Sequence, residues 1–178
     1  VIADKNAFLE KCRTGDAFTD YYYIADVKAT ANASQRKYIL EGYLAPNTYE
    51  VYMDASDEDI IRKLLSQTEA EFPAEYQNRA TELGMSMDEV LTLASLIEKE
   101  AKEADFTKVS AVFHNRLKQN IKLGSDVTIH YITGVRKMSL TNSDLQVDSP
   151  YNTYLYAGLP IGPICNPSPK AIAAALYP

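Results

Sequence analysis

The sequence predicts an α+β domain in which helices come first and strands and a long irregular segment follow. Several stretches before Asn120 place apolar side chains at helical spacing. After Asn120 the run IKLGSDVTIHYITG gathers β-branched residues around a Gly-Ser-Asp turn, which favours short strands. Residues 141–178 are rich in Pro, Gly, Asn and Tyr, a composition typical of a long, structured loop with a function.

The helical part carries its own start and stop signals. Asp4 and Gly15 bound a short helix as N-cap and terminating glycine. Ser56 opens an amphipathic helix that we expect to break near Pro73, and Ser86 opens another in a capping-box pattern. The runs DFTKVSAVFHNRLKQN and SPKAIAAAL predict two more helices, whereas EGYLAPNTYEVYM predicts extended segments around a turn. The run TDYYYIADVKATANASQRK is ambiguous.

Composition and charge limit the classes of function. The 178 residues are 46% hydrophobic and 24% charged, as is typical of a globular domain, and no apolar run reaches the ~18 residues of a membrane span. A net charge of −6 without a basic cluster argues against nucleic-acid binding. Cys12 and Cys165 are compatible with a disulfide or with two free thiols. His114 and His130 lack metal-ligand spacing, so we expect both to be structural.

The stretch LTLASLIEKEA raises the question of whether its two glutamates are a solvated helix face or a catalytic site. On a regular helix Glu98 and Glu100 point about 200° apart, so only one of them can face a given site. Glu100 falls between the directions of Leu93 and Leu96, inside a widened apolar face. A carboxyl pressed against apolar neighbours is held protonated and can donate a proton near neutrality, which favours Glu100 slightly.

Six motifs, in this order, resemble the endolytic murein transglycosylases, the MltG or YceG-like family. They are LEGYLAPNTYEVY, LASLIEKEA, VFHNRL, LGSDVTIHY, DSPYNTYLYAGLPIGPICNPS and AIAAALYP. The resemblance covers roughly residues 38–178, which it identifies as a catalytic domain, with residues 1–37 as a helical run-in. It implies that the family's membrane anchor and LysM-like region are absent from this chain, and that the full-length protein is a single-pass protein on the extracytoplasmic face of the bacterial cytoplasmic membrane.

The family cleaves the glycan strands of peptidoglycan internally, and the resemblance implies the same activity here. Its catalytic glutamate matches Glu100 in IEKEA, with Glu98 as the alternative. The implied chemistry uses one carboxyl group first as acid and then as base, and the 6-hydroxyl of N-acetylmuramic acid attacks in place of water. No cofactor or metal is expected. The implied partners are glycan strands, with penicillin-binding proteins and the cell-wall elongation machinery as further possibilities.

Nine side chains in the matched motifs are candidates for substrate binding: Glu41, Tyr43, Tyr49, Ser125, Asp126, Tyr151, Asn152, Tyr154 and Asn166. Tyrosine rings can stack on sugars, and amide, hydroxyl and carboxylate groups can hydrogen-bond sugar hydroxyls. A turn with packed tyrosines is an equally good interpretation of the first three. Ser125 and Asp126 could also hold the catalytic carboxyl, and an Asx-type turn is the alternative for this pair. Asn115 and Arg116 are expected to tie their helix to its neighbours.

The sequence departs from the family pattern at Ala45, Asn47, Val127 and Ile161, which affects the expected substrate subsites more than the expected reaction. Two other classes of function stay open. A hydrolytic muramidase would need an activated water and usually a second carboxylate, for which Asp126 is the obvious candidate. A non-catalytic module that binds peptidoglycan or acts as a scaffold is the other.

Overall fold

Helices and their connections make up the fold in this computed structural model, which describes residue 2 and residues 4–178. The α-helices of these residues are α1 Lys5–Thr14, α2 Tyr22–Ala29, α3 Asp57–Glu71, α4 Ala74–Glu82, α5 Met87–Glu100, α6 Phe106–Lys118, α7 Asp126–Thr133, α8 Asn142–Leu145 and α9 Pro169–Leu176. Short 3₁₀ turns span Asp16–Phe18, Ala33–Gln35 and Glu103–Asp105.

The predicted α+β class is wrong, because no residue in the described part of the chain lies in a strand. The run expected to form strands contains helix α7 instead, which ends at Gly134 in the left-handed conformation. Thr128 and Ile129 of this helix are buried, and α7 packs against α5. Burial of one face against a neighbouring helix outweighs the modest strand preference of β-branched residues, which depends strongly on context.

Helix α5 is the centre of the domain. It packs against α6, α7 and α9, and also against α2 and α4. Every residue from Val90 to Ile97 is buried, so the helix has no solvated face along this length. The reciprocal capping box of Ser86 and Glu89 starts it as predicted. It leaves the core only in its last turn, which carries both candidate glutamates.

Most of the other predicted helix boundaries are confirmed. Asp4 caps α1 by accepting two backbone N–H groups, and Gly15 ends it at φ 65°. Ser56 caps α3, and the helical region breaks at Pro73, which precedes α4. The ambiguous tyrosine-rich run forms α2.

The long Pro- and Gly-rich segment is ordered by contacts with α5. Ser95, buried in that helix, accepts a hydrogen bond from the Ile164 backbone N–H through its Oγ at 3.0 Å. The Cys165 thiol points to the Ser95 carbonyl, and Cys165 and Cys12 are both free thiols. Within the described residues no helix is long and apolar enough to cross a membrane.

Candidate functional site

The two glutamates at the end of α5 have different partners. Oε2 of Glu98 accepts hydrogen bonds from the backbone N–H of Ser168 at 3.0 Å and from its Oγ at 2.6 Å. Ser168 is the N-cap of α9 and accepts the Ala171 N–H with the same hydroxyl. Glu98 therefore stabilises the start of α9.

Glu100 faces a groove on the other side of the same turn. Its side chain is exposed, and its Oε2 accepts a hydrogen bond from Ser125 Oγ at 2.6 Å. The groove has a volume of about 310 Å³ and is lined, beside these two, by Lys108, Val109, Val112, Phe113, Arg116, Leu123 and Gly124. The apolar enclosure expected around Glu100 is thus partial, because α5 emerges from the core before this residue.

Two threonines fix the backbone of Ser125 by hydrogen bonds from the protein interior. It is only 2% exposed, and its backbone N–H donates to Thr153 Oγ1 at 3.0 Å. The hydroxyl of Thr128 donates to the Ser125 carbonyl at 2.8 Å and lies 3.0 Å from the Thr153 hydroxyl. Although Ser125 precedes α7, its side chain makes no capping hydrogen bond, so the hydroxyl is available to Glu100.

Tyr154 and Asp126 lie next to this groove, beside Gly124 and Ser125. The Tyr154 hydroxyl donates a hydrogen bond to Asp126 Oδ1, and its ring lies beside Gly124, which lines the groove. Burial, with further contributions from Asp126 and Glu100, raises the pKa of Tyr154 to about 12. Tyr154 therefore stays a neutral hydrogen-bond donor with an apolar ring, while the Asp126 carboxylate is exposed.

A second polar cluster lies at the other end of α7. The Tyr131 hydroxyl donates to Glu41 Oε2 at 3.4 Å, and the Tyr131 ring lies 4.9 Å from that of Tyr151. The Lys37 ammonium sits 5.0 Å from the centre of the Tyr131 ring. Burial raises the pKa of Glu41, and the Tyr131 hydrogen bond and the charges of Lys37 and Lys99 oppose that shift.

Two of the predicted substrate residues have their hydroxyl groups occupied inside the protein. Tyr43 has no exposed surface, and its hydroxyl donates to Asp88, which also pairs with both terminal nitrogens of Arg36. The Tyr49 hydroxyl donates to the Ala45 carbonyl at 2.6 Å. The structure therefore favours the alternative interpretation of this motif, a turn with packed tyrosines.

Asn152 is placed where it shapes the loop, and not where it can reach a sugar. It is 1% exposed, and its amide nitrogen donates to the carbonyls of Leu145 at 3.1 Å and Val147 at 2.8 Å. Its Oδ1 accepts the Tyr154 N–H at 2.9 Å. These bonds use both hydrogens and the oxygen of the buried side-chain amide. The geometry therefore favours a structural role for Asn152 over direct contact with the substrate.

Asn166 and Tyr151 also act between segments of the protein. Oδ1 of Asn166 accepts the N–H groups of Gly42 at 2.8 Å and Leu44 at 3.3 Å. The hydroxyl of Tyr151, a buried residue, accepts the Lys37 N–H at 3.2 Å. Both side chains join the late loop to the segment that carries Glu41.

Two further residues matter to this groove and were not among the predicted site residues. Thr153 lies in one of the matched motifs, is buried, and holds Ser125 from inside the protein by accepting its backbone N–H. Arg116 ties α6 to the turn at Leu123 by a hydrogen bond, as expected, and it also lines the groove, which was not expected. Ser110 and His114 join α6 to α9 by hydrogen bonds to its carbonyls. The helical spacing of Phe113 and Arg116, three residues apart, was the signal that the arginine lies on the face that lines the groove.

Comparison with known proteins decides the family. A family model described as the YceG-like family matches residues 5–178. The chain belongs to the YceG-like family. The resemblance predicted from the six motifs is therefore confirmed.

Named relatives of this YceG-like chain support the same assignment. It is 44% identical over 144 residues to the endolytic murein transglycosylase of Bacillus subtilis (strain 168), covering 80% of this chain and 40% of that protein. It is 36% identical over 149 residues to the protein of that name from Streptococcus pneumoniae (strain D39), covering 80% of this chain and 27% of that one. The chain thus spans less than half the length of these relatives.

A solved structure shows the same fold. The crystal structure of a YceG-like protein from Listeria monocytogenes superposes with a TM-score of 0.81 at 38% sequence identity. The match covers 98% of this chain and 59% of that one.

Proposed function

We propose that this chain carries the catalytic region of an endolytic lytic transglycosylase. It cleaves the β-1,4 bond between N-acetylmuramic acid and N-acetylglucosamine within peptidoglycan strands and leaves 1,6-anhydromuramic acid ends. The observation that carries the proposal is the pairing of Glu100 with Ser125 at the edge of an open groove. The names of the curated relatives support the substrate and the reaction class.

Glu100 acts in two successive steps. Ser125 occupies Oε2, whereas Oε1 has no hydrogen-bond partner in the described part of the chain and is free for proton transfer. As the acid, Glu100 gives its proton to the glycosidic oxygen, and the N-acetylglucosamine end leaves as an alcohol. As the base, it then takes the proton of the 6-hydroxyl, whose oxygen bonds to the anomeric carbon and closes the anhydro ring. Glu100 ends protonated again, and no water is consumed.

The surrounding residues have three roles in this scheme. Tyr154 and Asp126 beside the groove are proposed to contact sugar, as is Glu41 at the far end of α7. Ser125 holds the catalytic carboxylate. The remaining candidates stabilise the walls through hydrogen bonds within the protein: Tyr43, Tyr49, Tyr151, Asn152 and Asn166.

The expected setting of the activity follows from the substrate. Peptidoglycan lies outside the cytoplasmic membrane, so we propose that the protein works there, held by a membrane anchor elsewhere in the full-length protein. Penicillin-binding proteins and the elongation machinery are proposed as partners, as in the family that the chain resembles.

Product analysis in labelled water tests the reaction. Uncrosslinked glycan strands are digested in water enriched in heavy oxygen, and the new ends are examined by mass spectrometry. We expect anhydro ends, one water lighter than reducing ends and free of label, with no product from Glu100→Gln. Labelled reducing ends would show a hydrolytic muramidase, and intact strands would show a non-catalytic binding module.

A further inference from the structure

We propose that Arg116 makes the groove of Glu100 a subsite for a carboxylate on the glycan strand. The carboxylate comes from the lactyl group of a stem-free muramic acid or from the peptide stem attached to that group. This subsite rests on the proposed function for its substrate, and it goes further because it names the group that the protein would recognise.

Arg116 is positioned by α6 and by the turn that presents Ser125. It lines the groove together with Glu100, and one Nη1 hydrogen is donated to the Leu123 carbonyl. This bond leaves the other donors of the guanidinium without a protein partner in the described part of the chain. The side chain is only partly exposed, and the surface it keeps lines the groove.

Arg116 combines partial burial with the absence of a carboxylate partner, whereas Arg136, which also lacks one, is exposed. Four others are ion-paired: Arg13 with Glu10, Arg36 with Asp88, Arg62 with Asp20, and Arg79 with Glu82. Among residues 4–178, no carboxylate oxygen lies within 4.0 Å of the Arg116 guanidinium nitrogens. Charged groups that lose contact with water are normally paired, so a half-buried, unpaired arginine in a groove fits an anionic ligand.

The chemistry of the strand supplies such a ligand close to the reacting bond. Muramic acid carries its lactyl ether on the same sugar ring whose anomeric carbon loses the glycosidic bond in the proposed reaction. The planar fork of an arginine binds a carboxylate through two parallel hydrogen bonds. Val109 and Phe113 in the groove offer apolar contact to the lactyl methyl group and the sugar face. Lys108 is less suited, because it is exposed and paired with Asp105.

Binding assays with three defined strands test this subsite. All use Glu100→Gln protein, so that cleavage does not interfere. The first strand is stem-free with free lactyl carboxylates, the second is the same strand with these groups converted to methyl amides, and the third bears uncrosslinked stems. Each strand is titrated against the Glu100→Gln protein and against the same protein that also carries Arg116→Gln or Arg116→Lys. Arg136→Gln is the control, since Arg136 is an exposed arginine outside the groove.

We expect Arg116→Gln to bind a carboxylate-bearing strand about tenfold more weakly, as for loss of a charged hydrogen-bonded pair, with no change on the amidated strand. Arg116→Lys should fall between the two, because it keeps the charge and loses the fork. The strand that shows the loss identifies the source of the carboxylate. Affinity for that strand should also fall with added salt in the parent protein and less so in the Gln variant.

Two results would overturn the subsite. Equal losses on all three strands would show that Arg116 acts only through the Leu123 turn, and unchanged affinity on all three would show no role in binding. Neither result depends on the reaction type, which the product analysis of the unsubstituted protein settles by itself.

Discussion

Ser125 Oγ donates a hydrogen bond of 2.6 Å to Oε2 of Glu100, across 25 positions of sequence. The bond joins the last turn of α5 to the residue that precedes α7. It fixes one oxygen of the carboxylate, while the other has no hydrogen-bond partner in the described part of the chain.

Glu100→Gln should abolish cleavage, whereas Glu98→Gln should leave measurable activity. Gln keeps the volume and an acceptor oxygen, so Ser125 can still donate at position 100 and Ser168 at position 98. A catalytic acid–base group contributes about 10²–10⁴-fold in rate, which separates the two variants clearly. The measurement is anhydro-product release from uncrosslinked strands, with melting temperature as the folding control. If the Glu98 variant is inactive and the Glu100 variant is active, Glu98 is the catalytic residue.

Thr153→Val should lower kcat about tenfold with little change in KM, because small displacements of a catalytic group are costly. Valine matches the shape of threonine but leaves the buried Ser125 N–H without its acceptor. Thr153→Ser keeps the hydroxyl and should restore most of the rate. If the Val and Ser variants behave alike, Thr153 acts through packing and not by holding Ser125.

Asn152→Ala should destabilise the fold by about 1–3 kcal/mol, because it leaves two partly buried carbonyls and a partly buried N–H without partners. Urea unfolding gives the free energy directly. Asn115→Ala is the matched control, since Asn115 is exposed on α6, and should change stability by less than about 0.5 kcal/mol. Lower turnover with unchanged stability in Asn152→Ala would instead support direct contact with a sugar.

Gly42→Ala should cost about 3 kcal/mol or more, since overpacking and a positive φ act together. A Cβ on Gly42 would lie 2.4 and 2.5 Å from two carbons of Pro163, and φ is 90°. Gly84→Ala is the control, because φ is 68° there but no atom lies within 4 Å of the added carbon. That variant should cost only about 1 kcal/mol, the strain of the left-handed backbone. If thermal unfolding shows the same loss of stability for Gly42→Ala and Gly84→Ala, the clash with Pro163 is not the cause.

Glu41→Gln should stabilise the protein more at pH 7 than at pH 4. Burial raises the pKa of Glu41 above its unfolded value, so the folded state holds this proton more tightly. The associated stability is present below the unfolded pKa and is lost as the pH rises through the folded pKa. Gln is neutral throughout and avoids that loss. The difference in unfolding free energy between variant and parent is measured at both pH values, and a difference that favours the parent at pH 7 would contradict this.

Helix boundaries and family membership were determined by the sequence itself. The caps at Ser56 and Ser86, the glycine stop at Gly15 and the break at Pro73 rest on hydrogen bonds and backbone limits within a few residues. Local signals of this kind are readable without knowledge of the fold. The order of the six motifs was likewise sufficient to identify the family.

Tertiary structure alone decided the form of residues 126–133 and the partners of the two glutamates. The β-branched run became helix α7 because α5 offered a surface on which to bury it. The helix-wheel comparison assumed one apolar stripe, but α5 is buried on every side up to Ile97, so the wheel could not tell which carboxylate faces a groove. The two glutamates differ in their partners: Ser125 contacts Glu100 across 25 positions of sequence, and Ser168 contacts Glu98 across 70. Hydrogen bonds at such separations form only after distant segments have packed.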